Sequence, residues 1–124
     1  MDPLVALLVL VAGAARAQGF THAQAEAGKQ AYAENCASCH GDALEGVRYG
    51  PPLKGGAFAE QWSGKPILDL YEYTSTKMPE ENPGALAPDV YAATLAYILQ
   101  QNGVLAGQQP LTATATWVVP TLRP

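Results

Sequence analysis

Three stretches of this chain repeat their apolar and small residues at intervals of three and four, the period of a helix face, and the segments between them are punctuated by Gly and Pro. The first stretch starts at Thr21, which with Gln24 has the form of a capping box, and runs through an Ala-, Glu-, Lys- and Gln-rich segment to Cys39. Ala25, Gly28, Tyr32 and Cys36 share one face of it. A mid-helix Gly costs about 1 kcal/mol against Ala, which is explained if a second backbone crosses at Gly28 and Tyr32 packs into the crossing. The competing account is a tolerated Gly on a solvated face. The second stretch carries Ile67, Leu70, Tyr71 and Thr74, with Pro66 in its first turn and Asp69 near the positive end of its dipole, and it ends at Lys77-Met78-Pro79. The third opens at Pro88. There Val90, Thr94, Tyr97 and Gln101 lie near one face, Tyr91, Leu95 and Ile98 lie beside them, and Asn102-Gly103 is the stop.

The connections differ in kind. Gly41 to Gly64 contains Gly50-Pro51-Pro52-Leu53-Lys54-Gly55-Gly56 and is expected to be loop with short helical turns, and Glu80 to Ala87, with Asn82-Pro83-Gly84, to be a turn-rich link. The tail from Ala106 to Pro124 includes Thr112-Ala113-Thr114-Ala115-Thr116-Trp117-Val118-Val119, β-prone but too short for a sheet of its own. Three outcomes stay open for it: lying along the domain, adding to a partner, or fraying.

Ahead of the first helix, Leu4 to Val11 is an apolar run and Ala15-Arg16-Ala17 an A-x-A cleavage pattern, so residues 1–17 read as a signal peptide cleaved before Gln18. The run is too short to span a bilayer, and no Cys stands at the cleavage point to take a lipid. A periplasmic protein without a membrane anchor is therefore expected. The first residues carry Asp2 but no Lys or Arg, which points to a start codon upstream of Met1; for the segment as a whole, the account that competes with a signal peptide is a short buried helix. The expected division is residues 1–17 as signal, 18–106 as one domain and 107–124 as an extension of unknown role.

The formal net charge of the chain is −4. Removing residues 1–17 takes away one acid and one base, Asp2 and Arg16, and leaves it unchanged. No basic patch of the kind nucleic acid demands is present, so no nucleic-acid partner is expected. The two cysteines imply no disulfide framework.

Those cysteines belong to Cys36-Ala37-Ser38-Cys39-His40, the Cys-x-x-Cys-His signature of covalent haem attachment. On a helical turn both thiols face one way and can reach the two vinyl groups along one porphyrin edge. His40, four residues after Cys36, turns onto the same face, within reach of an iron. A thioredoxin-like dithiol and half a zinc site are the alternatives; the first expects strands, and the second needs ligands beyond His22, the only other Cys or His. A ligating His normally donates its other ring N–H to an acceptor nearby, and a prolyl carbonyl of the 50–56 loop suits.

These residues resemble a class I c-type cytochrome. The likeness rests on the haem motif, on Gly50-Pro51-Pro52-Leu53, on Met78-Pro79, and on Leu95-Ala96-Tyr97-Ile98-Leu99 with Asn102-Gly103, and it covers about Ala23 to Gly103. It implies a small all-α fold whose N- and C-terminal helices cross around one covalently bound haem c. It further implies Pro51 as the acceptor for His40, Leu53 as an apolar haem contact, Trp62 as a propionate donor and Met78 as the second axial ligand. A plain core Trp, a filler Met, and His22 as a rival ligand are the alternatives, His22 being read as a solvated residue. One-electron transfer with iron held by His40 and Met78 follows, with no catalysis at the metal and a monomeric state. A permanently docked subunit held by the Trp117 tail, and a small haem peroxidase or gas-binding protein, are the competing readings; Met78 speaks against the open position the last two need.

Trp62-Ser63-Gly64-Lys65-Pro66, Asp69-Leu70-Tyr71-Glu72-Tyr73 and Lys77-Met78-Pro79 also resemble cytochrome domains associated with quinoprotein (PQQ-dependent) dehydrogenases. That resemblance implies redox partners: such a dehydrogenase as donor, and an oxidase or another cytochrome as acceptor. Arg48, Lys54, Lys65 and Lys77 fall between His40 and Met78, but so do Asp42, Glu45, Glu60, Asp69 and Glu72, so any positive rim is local and weak.

Overall fold

The computed structural model describes residues 19–124. The expected signal segment, residues 1–17, lies outside the described residues. Five helices follow in order: α1 His22–Asn35, α2 Ala37–His40, α3 Gly56–Trp62, α4 Ile67–Lys77 and α5 Pro88–Gln101. Among the described residues the only strand-like pairings are two isolated bridges, Val47 with Gly50 and Pro66 with Val118. The fold is all-α, and no described helix is long and apolar enough to cross a membrane.

Helix α1 begins at Thr21, whose side chain accepts from the Gln24 backbone N–H at 3.1 Å. Only half of the capping box forms. The Gln24 side chain turns instead to the tail, donating to the Leu111 carbonyl at 2.7 Å and accepting from the Leu111 N–H at 2.8 Å. The single helix expected through Cys39 is also broken. Cys36 adopts φ −128°, ψ −32°, which ends α1 and starts the one-turn α2. At the break the Asn35 side chain bonds the Ala31 carbonyl at 2.9 Å, a local competitor of the helix ladder. Gly41, at φ +93°, ends α2. Pro66 stands just before α4 as its N-cap rather than within its first turn.

The principal helix contact is α1 against α5. Gly28 is buried, and a Cβ there would overlap the Ala93 carbonyl and stand 3.0 Å from the Tyr97 Cβ. Backbone meets backbone at this point, so the Gly is required by the crossing. Next to it the Tyr32 and Tyr97 rings pack with centroids 5.5 Å apart, an arrangement worth about 0.5–1.5 kcal/mol beyond the area it buries. Helix α5 is buried without interruption from Tyr91 to Leu99, because α1, α4 and the cavity described below surround it.

The tail lies along the domain. Gly107 donates to the Phe20 carbonyl at 2.7 Å, and Leu111, Trp117, Val119 and Leu122 are all buried. This corrects two of the expectations. Trp117 is spent on its own domain and offers no anchor for a partner, and the segment is held rather than frayed; truncating a Trp so buried costs on the order of 3–5 kcal/mol. The β-prone pattern yields a single bridge and not a strand.

Gly28→Ala tests the crossing. Helix propensity alone predicts a gain of about 1 kcal/mol, whereas overpacking against a main chain that cannot rotate away costs about 1–3 kcal/mol or more. The variant is expected to melt below wild type in a thermal scan; a higher melting temperature would show that the two helices do not touch at this position.

Candidate functional site

A cleft opens between α2, the 49–53 loop, α3, α4 and α5, with about 1130 Å³ of space inside it, its mouth included. Cys36, Cys39, His40, Pro51, Leu53, Trp62 and Met78, the residues singled out in the sequence, all line it. His22 does not. It stands on the first turn of α1, largely exposed, 4.0 Å from Glu26.

His40 is buried and held from several directions. Its Nδ1 lies 2.8 Å from the Pro51 carbonyl. A carbonyl can only accept, so the proton of the neutral ring sits on Nδ1 and Nε2 is left with a free lone pair. The loop that brings Pro51 there folds back on α2. Gly46 donates to the His40 carbonyl at 2.7 Å, Leu44 to Gly41 at 3.2 Å, and Leu53 to Leu44 at 2.9 Å. Gly50 allows the return: a Cβ on it would collide with the Cys39 carbonyl and lie 2.9 Å from His40 Nδ1. Leu44 takes φ +61°, a conformation costing on the order of 1–2 kcal/mol for an L-residue, and its nearly complete burial holds it there. The Tyr32 hydroxyl donates to the Gly41 carbonyl at 2.6 Å and so ties the helix crossing to the residue after His40. Burial, first of all, pushes that phenol well above its ordinary range and keeps it a donor.

The two thiols are half-buried and unbridged. Burial, followed by the nearby Cys39 and Glu81, pushes the Cys36 thiol up to about 11. Met78 reaches the cleft from the C-cap of α4. Its carbonyl accepts from the buried Tyr91 hydroxyl at 2.6 Å, and the same hydroxyl takes the Leu86 N–H at 3.3 Å. Trp62, at the end of α3, packs edge-on against Tyr73, centroids 5.6 Å apart, with the Lys65 ammonium 5.3 Å from its ring. Phe58, Leu70, Leu95 and Ile98 make the walls largely apolar.

Sequence reasoning missed Tyr91, whose role is a main-chain bond, and Asn102, whose amide donates to the Leu53 carbonyl at 2.9 Å and to Ile98 at 2.8 Å. In the sequence Asn102 stands out only as part of the helix stop. Its place directly before Gly103 is the one signal that could have marked it. Phe58 was legible in principle, since Phe58, Ala59 and Trp62 share a helix face, but the Gly-rich segment before it masked the periodicity.

The donor set decides what the cleft suits. Among the described residues no three His, Cys, Asp or Glu side chains gather to hold a metal ion. One imidazole with its Nδ1 occupied, one thioether and two thiols around an apolar cleft fit a porphyrin attached through sulfur, its iron taking a nitrogen and a soft sulfur ligand.

A family model described as cytochrome c oxidase, cbb3-type, subunit III matches residues 23–98. Among solved structures the chain is similar to a chain in the sulfane dehydrogenase SoxCD from Paracoccus pantotrophus, with a TM-score of 0.60 and 29% identity over 82% of this chain. It spans 54% of that chain's length. The curated proteins contain no match.

Tyr91→Phe keeps the ring and removes the hydroxyl beneath Met78. The Met78 carbonyl and the Leu86 N–H each lose a partner, so a denaturant titration should show a loss of about 1–3 kcal/mol. An unchanged midpoint would mean that neither group depends on Tyr91.

Proposed function

The chain belongs to the family whose model is described as cytochrome c oxidase, cbb3-type, subunit III, it is a class I c-type cytochrome with covalently bound haem c, and from that premise we propose that it carries single electrons with an iron held by His40 and Met78. One observation carries the proposal: Cys36, Cys39, His40 and Met78, distant in sequence from one another in two groups, meet in one apolar cleft.

The haem supplies the one-electron couple, and the protein's part is to bind, orient and shield. Cys36 and Cys39 would hold it through thioether bonds, each thiol adding across one vinyl group. Pro51 fixes the His40 ring and its tautomer, so that Nε2 is the ligating atom. Met78 brings a soft sulfur, which favours the reduced state, from a backbone anchored by Tyr91. Phe58, Leu70, Leu95 and Ile98 line the cleft and would exclude water from a bound haem, Leu53 would pack against its ring, and the Trp62 indole N–H could donate to a propionate. With both ligands held on secured main chain, neither needs to move between oxidation states. No substrate binds at the metal in this reading, which makes the protein a carrier rather than an enzyme.

Covalent haem is tested on the exported holoprotein. A haem stain should survive denaturing electrophoresis, and Met78→Ala should lower the midpoint potential and let the ferrous protein bind carbon monoxide, which wild type resists. Colour that extracts into acidified acetone would sink the attachment, and an unaltered potential in the variant would remove Met78 as a ligand.

Export by residues 1–17 to the periplasm and exchange with other redox proteins complete the proposal. The likeness to a chain of a sulfane dehydrogenase supports a dehydrogenase as neighbour. It equally supports a second reading, a haem subunit fixed in a redox complex, which size-exclusion of the natively purified protein separates from a free carrier. Lys65 and Lys77 stand over the Trp62 and Tyr73 rings, while Glu80 and Glu81 line the same cleft. Docking of a dehydrogenase therefore leans on apolar contact, and the rate of reduction by a purified quinoprotein dehydrogenase in stopped flow should fall only modestly as salt rises. A steep fall contradicts the docking account, and no reduction on the turnover timescale removes that donor.

A further inference from the structure

We infer that residues 117–122 are positioning residues for the haem cleft, a strap that holds the corner between α3 and α4 and through it the wall residue Trp62. The inference rests on the cytochrome reading above. Four hydrogen bonds join the strap to residues 63–67. Ile67 donates to the Trp117 carbonyl at 2.9 Å, Val119 to the Lys65 carbonyl at 2.8 Å, Gly64 to the Val119 carbonyl at 2.8 Å, and Leu122 to Ser63 Oγ at 3.0 Å. The side chains of Trp117, Val119 and Leu122 are buried at the same time.

The corner has little else to hold it. Its own bonds are the Ser63 N–H to Ala59 and the Lys65 N–H to Trp62, both back into the end of α3, and the Asp69 N–H to the Pro66 carbonyl at the start of α4. Gly64 turns the chain at φ +79° and Pro66 contributes no donor. Helix α3 is short, and the main helix contacts are made by α1, α4 and α5, so α3 does not stand by itself. Trp62 is its last residue. The Lys65 ammonium over the indole belongs to a residue whose carbonyl the strap grips, so ring and cation are placed together. Without the strap, Gly64 and Ile67 lose the partners of their N–H groups, the corner opens, and water reaches the cleft beside Trp62. Greater solvent access to a haem stabilises the charged ferric state and lowers its potential.

The chain has two tryptophans, Trp62 and Trp117, which makes the test direct. In the holoprotein carrying Trp117→Phe the strap keeps its main-chain bonds, and the single remaining indole, Trp62, should be strongly quenched by energy transfer to the haem. A holoprotein ending at Thr116 should keep its covalent haem, show Trp62 emission several-fold brighter than Trp117→Phe, and have a lower midpoint potential. If the shortened protein is not recovered, Ser63→Ala combined with Val119→Ala in the Trp117→Phe background is read the same way. A lower melting temperature with quenched emission and unchanged potential overturns the inference, because it leaves the tail a purely stabilising role. Wild-type protein without covalent haem overturns the cytochrome reading itself, and the strap's role toward haem with it.

Discussion

The contact between the Gly28 backbone and the Ala93 carbonyl is the constraint on which the remaining structure depends. Helices can approach this closely only where one of them lacks a side chain, and the approach fixes where both continue. Helix α1 leads from the crossing straight into the Cys36–His40 turn. Helix α5 turns another side, Thr94, Leu95 and Ile98, to the cleft. Tyr32 joins the two consequences, packing on Tyr97 at the crossing while its hydroxyl holds Gly41. The crossing thus sets the Cys36–His40 turn and one face of α5 against the same cleft.

The rest of the cleft is shaped by main-chain bonds more than by side-chain pairs. Pro51, Met78 and Leu53 each contribute a carbonyl that a distant side chain grips: His40, Tyr91 and Asn102 respectively. Each grip fixes a loop that has no regular hydrogen-bonding ladder of its own. Two of the three donors, Tyr91 and Asn102, belong to α5 or its cap, so the C-terminal helix secures both the loop that faces His40 and the segment that carries Met78.

The tail does for α3 what α5 does for those loops. Residues 107–124 add no helix, yet they close three seams: Phe20 with Gly107, Gln24 with Leu111, and the 63–67 corner with residues 117–122. Buried Trp117, Val119 and Leu122 supply apolar area that a domain of this size, built around a cofactor cleft, otherwise lacks.

What could be read in the amino-acid order is what depends on neighbours along the chain. The Cys-x-x-Cys-His spacing named the chemistry, three- and four-residue periodicity located three helices, and the local cost of Gly28 foretold a crossing. Seven residues proposed for the site do line one cleft. What the sequence could not determine depends on partners that periodicity does not encode. Gln24 left its capping box for Leu111, 87 positions away; Cys36 broke a helix that composition favoured; and a Thr-rich tail without a helical pattern became part of the core. Tyr91 and Asn102 act on carbonyl groups, which every residue possesses, so no residue type marks their targets. Side-chain chemistry and local period are written in the order of residues, whereas the pairing of main-chain groups across long loops exists only once the chain has closed on itself.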